Sequence, residues 1–410
     1  MIHTVTSSQQ AIRLEEEYAA HNYHPLPVVL SRGSGVHLWD IEGKQYYDFL
    51  SAYSAVNQGH CHPRIIGALI EQAQTLTLTS RAFHSDKLGE CARYMCEYFG
   101  YDKVLMMNSG AEANETAIKL VRKWGYQVKG IQPNKAIIVA VEQNFHGRTT
   151  GIISASTDVV ATQNFGPFMP GYQIIPYNDI EALEKSLQNP NVCGFWVEPI
   201  QGEAGVFVPD EGYLAKSQEL CKKYKVILMM DEIQTGIGRT GKLLASSYEN
   251  VQPDMLILGK ALSGGVYPVS AVLTKNEIML TIGPGEHGST FGGNPLACAV
   301  TMAALEVMKE EGLTDNAASM GELFRSRMRA IQSKTDKITA VRGKGLLNAI
   351  DINEKTDGRT AWDTCMTLRD NGLLAKPTHG DKIRFAPPLI ITRAQMEECC
   401  DIIERTILNF

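Results

Sequence analysis

From Lys103 onward, short apolar runs alternate with stretches of helical period. Val104–Met107, Ala136–Val141, Ile152–Ser156, Val192–Val197, Val226–Met230, Met255–Leu258 and Val269–Leu273 read as strands. Helices are expected over 110–129 and 212–224, and Asn178-x-x-Glu181 has the pattern of a capping box opening another. Strands that are apolar on both faces and alternate with helices predict a mainly parallel, doubly wound α/β sheet covered on both sides. Such sheets bind ligands beyond the carboxyl ends of their strands.

The flanks follow a different rhythm. A short helix is expected over 7–20, an extended segment at Asn22–Pro27, and a hairpin over Val36–Leu50 that turns at Glu42-Gly43. Helices at 63–80 and 86–99 follow. After Gly292-Gly293-Asn294-Pro295 the periodicity predicts helices at 295–311 and 315–333, then strands at 338–342 and 345–352. A helix at 360–371 and strands at 373–376 and 382–385 lead to a last helix, 393–408, opened by Thr392-x-x-Gln395. This is a smaller α+β lobe. The expected division is 1–48 as an N-terminal helix and hairpin joining that lobe, 49–290 as the large domain and 291–410 as the small one.

A chain of 410 residues suits two or more lobes. Its net charge of −6 offers no basic field for nucleic acid or an acidic membrane surface, and no apolar run is long enough to span a bilayer. Glu15-Glu16-Glu17 and the lack of an apolar core near Met1 fit neither a signal nor a transit peptide. Nine scattered cysteines without a C-x-x-C pair suggest reduced thiols. A cytoplasmic location is expected, with the mitochondrial matrix as the alternative should a presequence precede this chain. His60-Cys61-His62 has no partner ligands at zinc spacing, and Pro63 suits a helix entrance instead, so no metal is expected.

The candidate chemistry falls at the ends of the predicted strands. Lys260 follows the Met255–Leu258 strand. A lysine there either snorkels to solvent or is buried, and burial favours a neutral amine able to form a Schiff base. Asn108–Asn114 opens a helix with small residues; it is an anion cradle or a plain N-cap turn. Asp231-Glu232 ends the Val226–Met230 strand, where a carboxylate needs a cationic partner such as a protonated ring nitrogen or an arginine. Asn144–Arg148 and Glu198–Glu203 follow two further strands. Four such loops at one sheet edge make a site. Gly236-x-Gly238-x-x-Gly241 with Asp254 copies a dinucleotide fingerprint, but no long helix starts there and Asp231-Glu232 would repel a pyrophosphate.

These elements, with Gly288–Pro295 and the 29-residue spacing of Asp231 and Lys260, resemble the class III, fold-type-I pyridoxal-phosphate aminotransferases over essentially the whole chain. The resemblance implies a seven-stranded sheet, pyridoxal 5′-phosphate as cofactor and a homodimer with shared sites. It implies that Lys260 holds the cofactor aldehyde and shuttles a proton, while Asp231 pairs with the ring nitrogen. Gln234 would meet the phenolic oxygen, and Phe145, beside His146, would stack on the ring. Ser109, Gly110 and Ala111 would hold the phosphate, with Ser289 and Thr290 reaching it from the partner subunit.

Within the class, Asn22–Pro27, Ser51–His60, Lys376–Gly380 and Arg384–Pro388 are most similar to members that move the δ-amino group of L-ornithine to 2-oxoglutarate. That likeness implies that Arg148 pairs with the ornithine α-carboxylate and Tyr23 contacts the α-amine, with Tyr53 lining the same pocket. Glu203 would neutralise Arg384 until 2-oxoglutarate binds. Members that act on acetylornithine, 4-aminobutyrate or the ε-amine of lysine are the alternatives within the class; a non-catalytic descendant is the alternative outside it.

Overall fold

The computed structural model describes residues 5–408. Its centre is a seven-stranded sheet in the order Lys103–Met107, Ser270–Thr274, Met255–Leu258, Ile227–Asp231, Val192–Val197, Ile137–Val141 and Tyr172–Ile175. Only Ser270–Thr274 runs antiparallel to its neighbours. The inner strands are buried on both faces. Ile138 and Ala140 pack under the Gly110–Gln127 helix, whereas Val139 and Val141 face Leu183 and Leu214 on the opposite side. The carboxyl ends of six parallel strands therefore open at one edge.

The N-terminal hairpin pairs His37–Asp40 with Gln45–Asp48 and takes Leu373–Leu374 as a parallel neighbour. A second four-stranded sheet holds Ile338–Lys344, Leu347–Ile352, Lys382–Phe385 and Lys376–Thr378. Helices Asp86–Phe99, Pro295–Glu310 and Arg393–Leu408 lie where their periodicity and caps place them. Pro63 enters the first turn of the Pro63–Thr75 helix.

Three expectations are corrected. Ile152–Ser156 is not a strand: Thr149 caps a short helix, Thr150–Ile153, which buries Ile152 and Ile153. The seventh strand is Tyr172–Ile175, whose polar Gln173 and edge position hid it from the apolar pattern. The Ile180–Leu187 helix is capped by Asp179, not Asn178. Asn178 is left-handed and accepts a hydrogen bond from the Asp210 N–H at 3.0 Å.

The glycine triplet at 236–241 serves a close approach between lobes. A Cβ on Gly241, at φ +87°, would lie 2.9 Å from Ala318 Cα. No long helix follows; Ala245–Glu249 is a single 3₁₀ turn.

Candidate active site

Asp231 is the last residue of its strand and is almost fully buried. Its Oδ2 accepts hydrogen bonds from Asn114 Nδ2 at 2.9 Å and His146 Nδ1 at 2.7 Å, and its Oδ1 accepts from the Ile233 N–H at 3.1 Å. Trp196 fixes both helpers: its Nε1 donates to Asn114 Oδ1 at 3.0 Å, and its ring stacks on His146 at 3.8 Å. The carboxylate is thus locked in direction before any ligand arrives. Asn114 and Trp196 had no assigned role in the sequence. Asn114 lay within a loop read for its small residues, and Trp196 looked like any core aromatic.

Lys260 begins a 3₁₀ turn, Lys260–Ser263, directly after the Met255–Leu258 strand, with φ +46°. Burial pushes its ammonium pKa below the usual lysine range; Asp231 opposes that shift and Arg384 adds to it. The strained left-handed backbone turns the side chain off the strand line into a cavity of about 190 Å³. Gly110, Ala111, Phe145, His146, Asp231 and Gln234 line the same cavity.

Ser109 and Glu112 form a reciprocal capping box, so the helix starts sharply at Gly110. This leaves the first-turn N–H groups of Gly110 and Ala111 facing the cavity side of a helix N-terminus, a ready anion site. Gln234 Oε1 is buried and has no partner among the described residues. A Cβ on Gly202 would sit 1.4 Å from that oxygen, so only glycine leaves the amide its place. An anion cradle, a fixed carboxylate, an unpartnered amide oxygen and a depressed amine around one flat cavity fit pyridoxal phosphate.

Glu198 also lines the cavity, fully buried, and accepts from the Phe145 N–H at 2.8 Å. Burial, with nearby Asp231, pushes its carboxyl up to about 8. It is therefore protonated in the folded apoprotein at neutral pH but ionised in the unfolded chain. Folding takes up a proton, so stability falls as pH rises from the unfolded pKa through about 8. The slope is up to about 1.4 kcal/mol per pH unit. Thermal melts of the apoprotein at pH 6 to 9 should fall more steeply for wild type than for Glu198→Gln; parallel curves would refute this assignment.

The predicted substrate residues surround neighbouring spaces. Arg384, 2% exposed, donates from Nη1 to Glu203 Oε2 at 2.9 Å and to the Gly202 carbonyl at 3.2 Å. Burial works to raise the Glu203 carboxyl, yet Arg384 holds it below its usual range. Tyr53 lies with its ring 5.0 Å from the Arg384 guanidinium carbon, and Tyr23 and Tyr53 line a cavity of about 410 Å³. Arg148 is exposed, its guanidinium carbon 5.6 Å from the Phe145 ring.

Ser289 and Thr290 do not line the cofactor cavity of their own chain. Ser289 Oγ accepts from Asn108 Nδ2 at 2.8 Å, and Thr290 is exposed. Among the described residues no cluster of His, Cys, Asp or Glu could hold a metal ion. None of the described helices is long and apolar enough to cross a membrane.

The strand-end lysine, the braced aspartate and the anion-ready helix define a fold-type-I transferase site, and residues 18–407 match the aminotransferase class-III family. The chain belongs to that family, and its cofactor is pyridoxal 5′-phosphate. It is 62% identical over 395 residues to the mitochondrial ornithine aminotransferase of Drosophila melanogaster, covering 96% of this chain and 90% of the relative. The crystal structure of the ornithine aminotransferase from Toxoplasma gondii superposes with a TM-score of 0.97 at 48% identity, covering 99% of this chain and 96% of that one. A structure named acetylornithine aminotransferase, from Elizabethkingia anophelis, is 59% identical with a TM-score of 0.91, covering 99% and 100%.

Proposed function

We propose that the chain is an ornithine δ-aminotransferase, moving the δ-amino group of L-ornithine to 2-oxoglutarate to give glutamate and glutamate 5-semialdehyde. The observation that carries the choice within the family is the Glu203–Arg384 pair beside Tyr53 and Tyr23. A monocarboxylate diamine and a dicarboxylate must use one site in turn. A guanidinium neutralised by a movable carboxylate serves both, since an unpaired buried charge costs several kcal/mol.

The residues then divide the work. When bound, pyridoxal phosphate supplies an electrophilic carbon and an electron-withdrawing ring. Lys260 Nζ, its pKa lowered by burial, would anchor the cofactor and carry the proton from the substrate's amine-bearing carbon. Asp231 would balance a protonated ring nitrogen, and Asn114, His146 and Trp196 keep the carboxylate aimed. Gly110 and Ala111 N–H groups, with Ser109, would hold the phosphate, and Phe145 would cover the ring. Arg148 takes the ornithine α-carboxylate, Tyr23 and Tyr53 flank its α-amine, and Arg384 takes the 2-oxoglutarate carboxylate once Glu203 releases it. The exposed Thr290, with Phe291 47% exposed beside it, supports a homodimer in which this loop completes the partner's phosphate site.

Ornithine labelled with ¹⁵N at the δ position tests the direction of binding. The label is expected in glutamate. Unlabelled glutamate, with the ¹⁵N retained in the oxo-acid product, would overturn the proposal.

A further inference from the structure

Ser51, Ala52, Tyr53 and Ser54 follow one another with φ of +47°, +46°, +62° and +73°. Ala52 and Tyr53 have ψ of 47° and 42°, so this is a left-handed turn built without glycine. Each such residue brings its Cβ against the following carbonyl. A run of four persists only where the surroundings over-determine it, and such strain collects at ligand sites.

The restraint is visible. Asp48 Oδ1 accepts from the Leu50 and Ser51 N–H groups at 2.8 and 2.9 Å, gripping the turn at its entry. Asp48 Oδ2 bonds His60 Nε2 at 2.7 Å. His60 is itself pinned through its backbone, which exchanges hydrogen bonds with Gly35 at 2.8 and 3.0 Å. A Cβ on Gly33 would come within 3.0 Å of the His60 side chain, so the imidazole packs on backbone. Both Asp48 and His60 line the same cavity as Tyr23 and Tyr53.

The turn's product is the position of Tyr53 against Arg384. Besides Glu203 and the Gly202 carbonyl, the Tyr53 face meets this guanidinium, and Arg384 Nε has no partner among the described residues. When Glu203 leaves, Tyr53 and one carbonyl must keep Arg384 in place. We propose that Asp48 and His60 are positioning residues for the oxo-acid half of the reaction. Through the strained turn they hold Tyr53, and through it the arginine that receives the dicarboxylate.

The inference rests on the function proposed above, and its test separates the two. The two half-reactions of the holoenzyme are followed independently, one with ornithine and one with 2-oxoglutarate. His60→Ala and Asp48→Asn should raise the 2-oxoglutarate KM roughly tenfold and the ornithine KM by clearly less, because Tyr53 also flanks the ornithine α-amine but Arg384 stays paired with Glu203 in that half-reaction. His60→Gln, whose amide can still donate to Asp48, should recover most of the loss. Ala52→Gly should keep or raise the melting temperature, because glycine accepts this backbone without strain.

Equal losses in both half-reactions, insolubility of both Asp48→Asn and His60→Ala, or an Ala52→Gly variant that melts lower would overturn the positioning role. A wild-type holoenzyme inert toward ornithine would instead overturn the proposed function. His60→Ala leaves the Asp48 bonds to Leu50 and Ser51 in place, so it carries the test if Asp48→Asn does not fold.

Discussion

Lys260→Ala is expected to lower amino transfer from ornithine by at least about 10⁴-fold, since in the proposed mechanism one residue supplies both the covalent anchor and the proton carrier. The purified variant also loses the yellow colour that a lysine-bound cofactor gives. The basis is local. Burial holds the Lys260 amine below its usual pKa, and the left-handed turn at its own Cα aims it into the cavity. A small primary amine added to the variant should restore part of the rate, because it can replace the proton carrier while the rest of the cavity is intact. A single-turnover assay with and without the added amine checks this. Residual activity within about a hundredfold of wild type would mean that another base does the work.

Asp231→Asn is expected to have the second-largest effect. The substitution keeps size and one acceptor but removes the charge. Removing one partner of a buried pair costs about 3–5 kcal/mol, or roughly 10²–10⁴ in kcat where it is lost in the transition state. Asn114 and His146 both donate to the same Oδ2, so the new amide must turn its oxygen toward them and present its NH₂ to the ring. That reverses the polarity needed by a protonated ring nitrogen. Steady-state kinetics with saturating cofactor measure the effect. A loss below tenfold would show that Asp231 is a structural carboxylate.

The architecture was legible because the sheet is buried on both faces, which leaves continuous apolar runs between amphipathic helices. Six of the seven central strands stood out in this way. The edge strand Tyr172–Ile175 did not, since an edge needs less apolar surface. Ile152-Ile153 misled for the converse reason: two adjacent β-branched residues suggested a strand, whereas a Thr149 cap started a helical turn.

At the site, loops that follow strands could be read from sequence because the fold class dictates where ligands go. The geometry between loops could not. Trp196 aligns Asp231 through Asn114, 82 residues away in sequence, and no local pattern carries that link. The protonated Glu198 was equally hidden, since only burial beside Asp231 raises its carboxyl. Ser289 and Thr290 illustrate another limit. They lie outside the cavity of their own chain, so the part the resemblance gives them would need a second subunit.

The relative from Elizabethkingia anophelis makes the α-nitrogen of the substrate the decisive atom. An acetylated α-nitrogen carries no charge, adds bulk where Tyr23 and Tyr53 line the cavity, and gives a hydroxyl pair nothing cationic to meet. The most direct measurement is kcat/KM for L-ornithine and for N-acetylornithine with 2-oxoglutarate, in parallel, trapping the cyclised product. The account predicts that ornithine is preferred by at least about tenfold. Faster turnover of N-acetylornithine would contradict it.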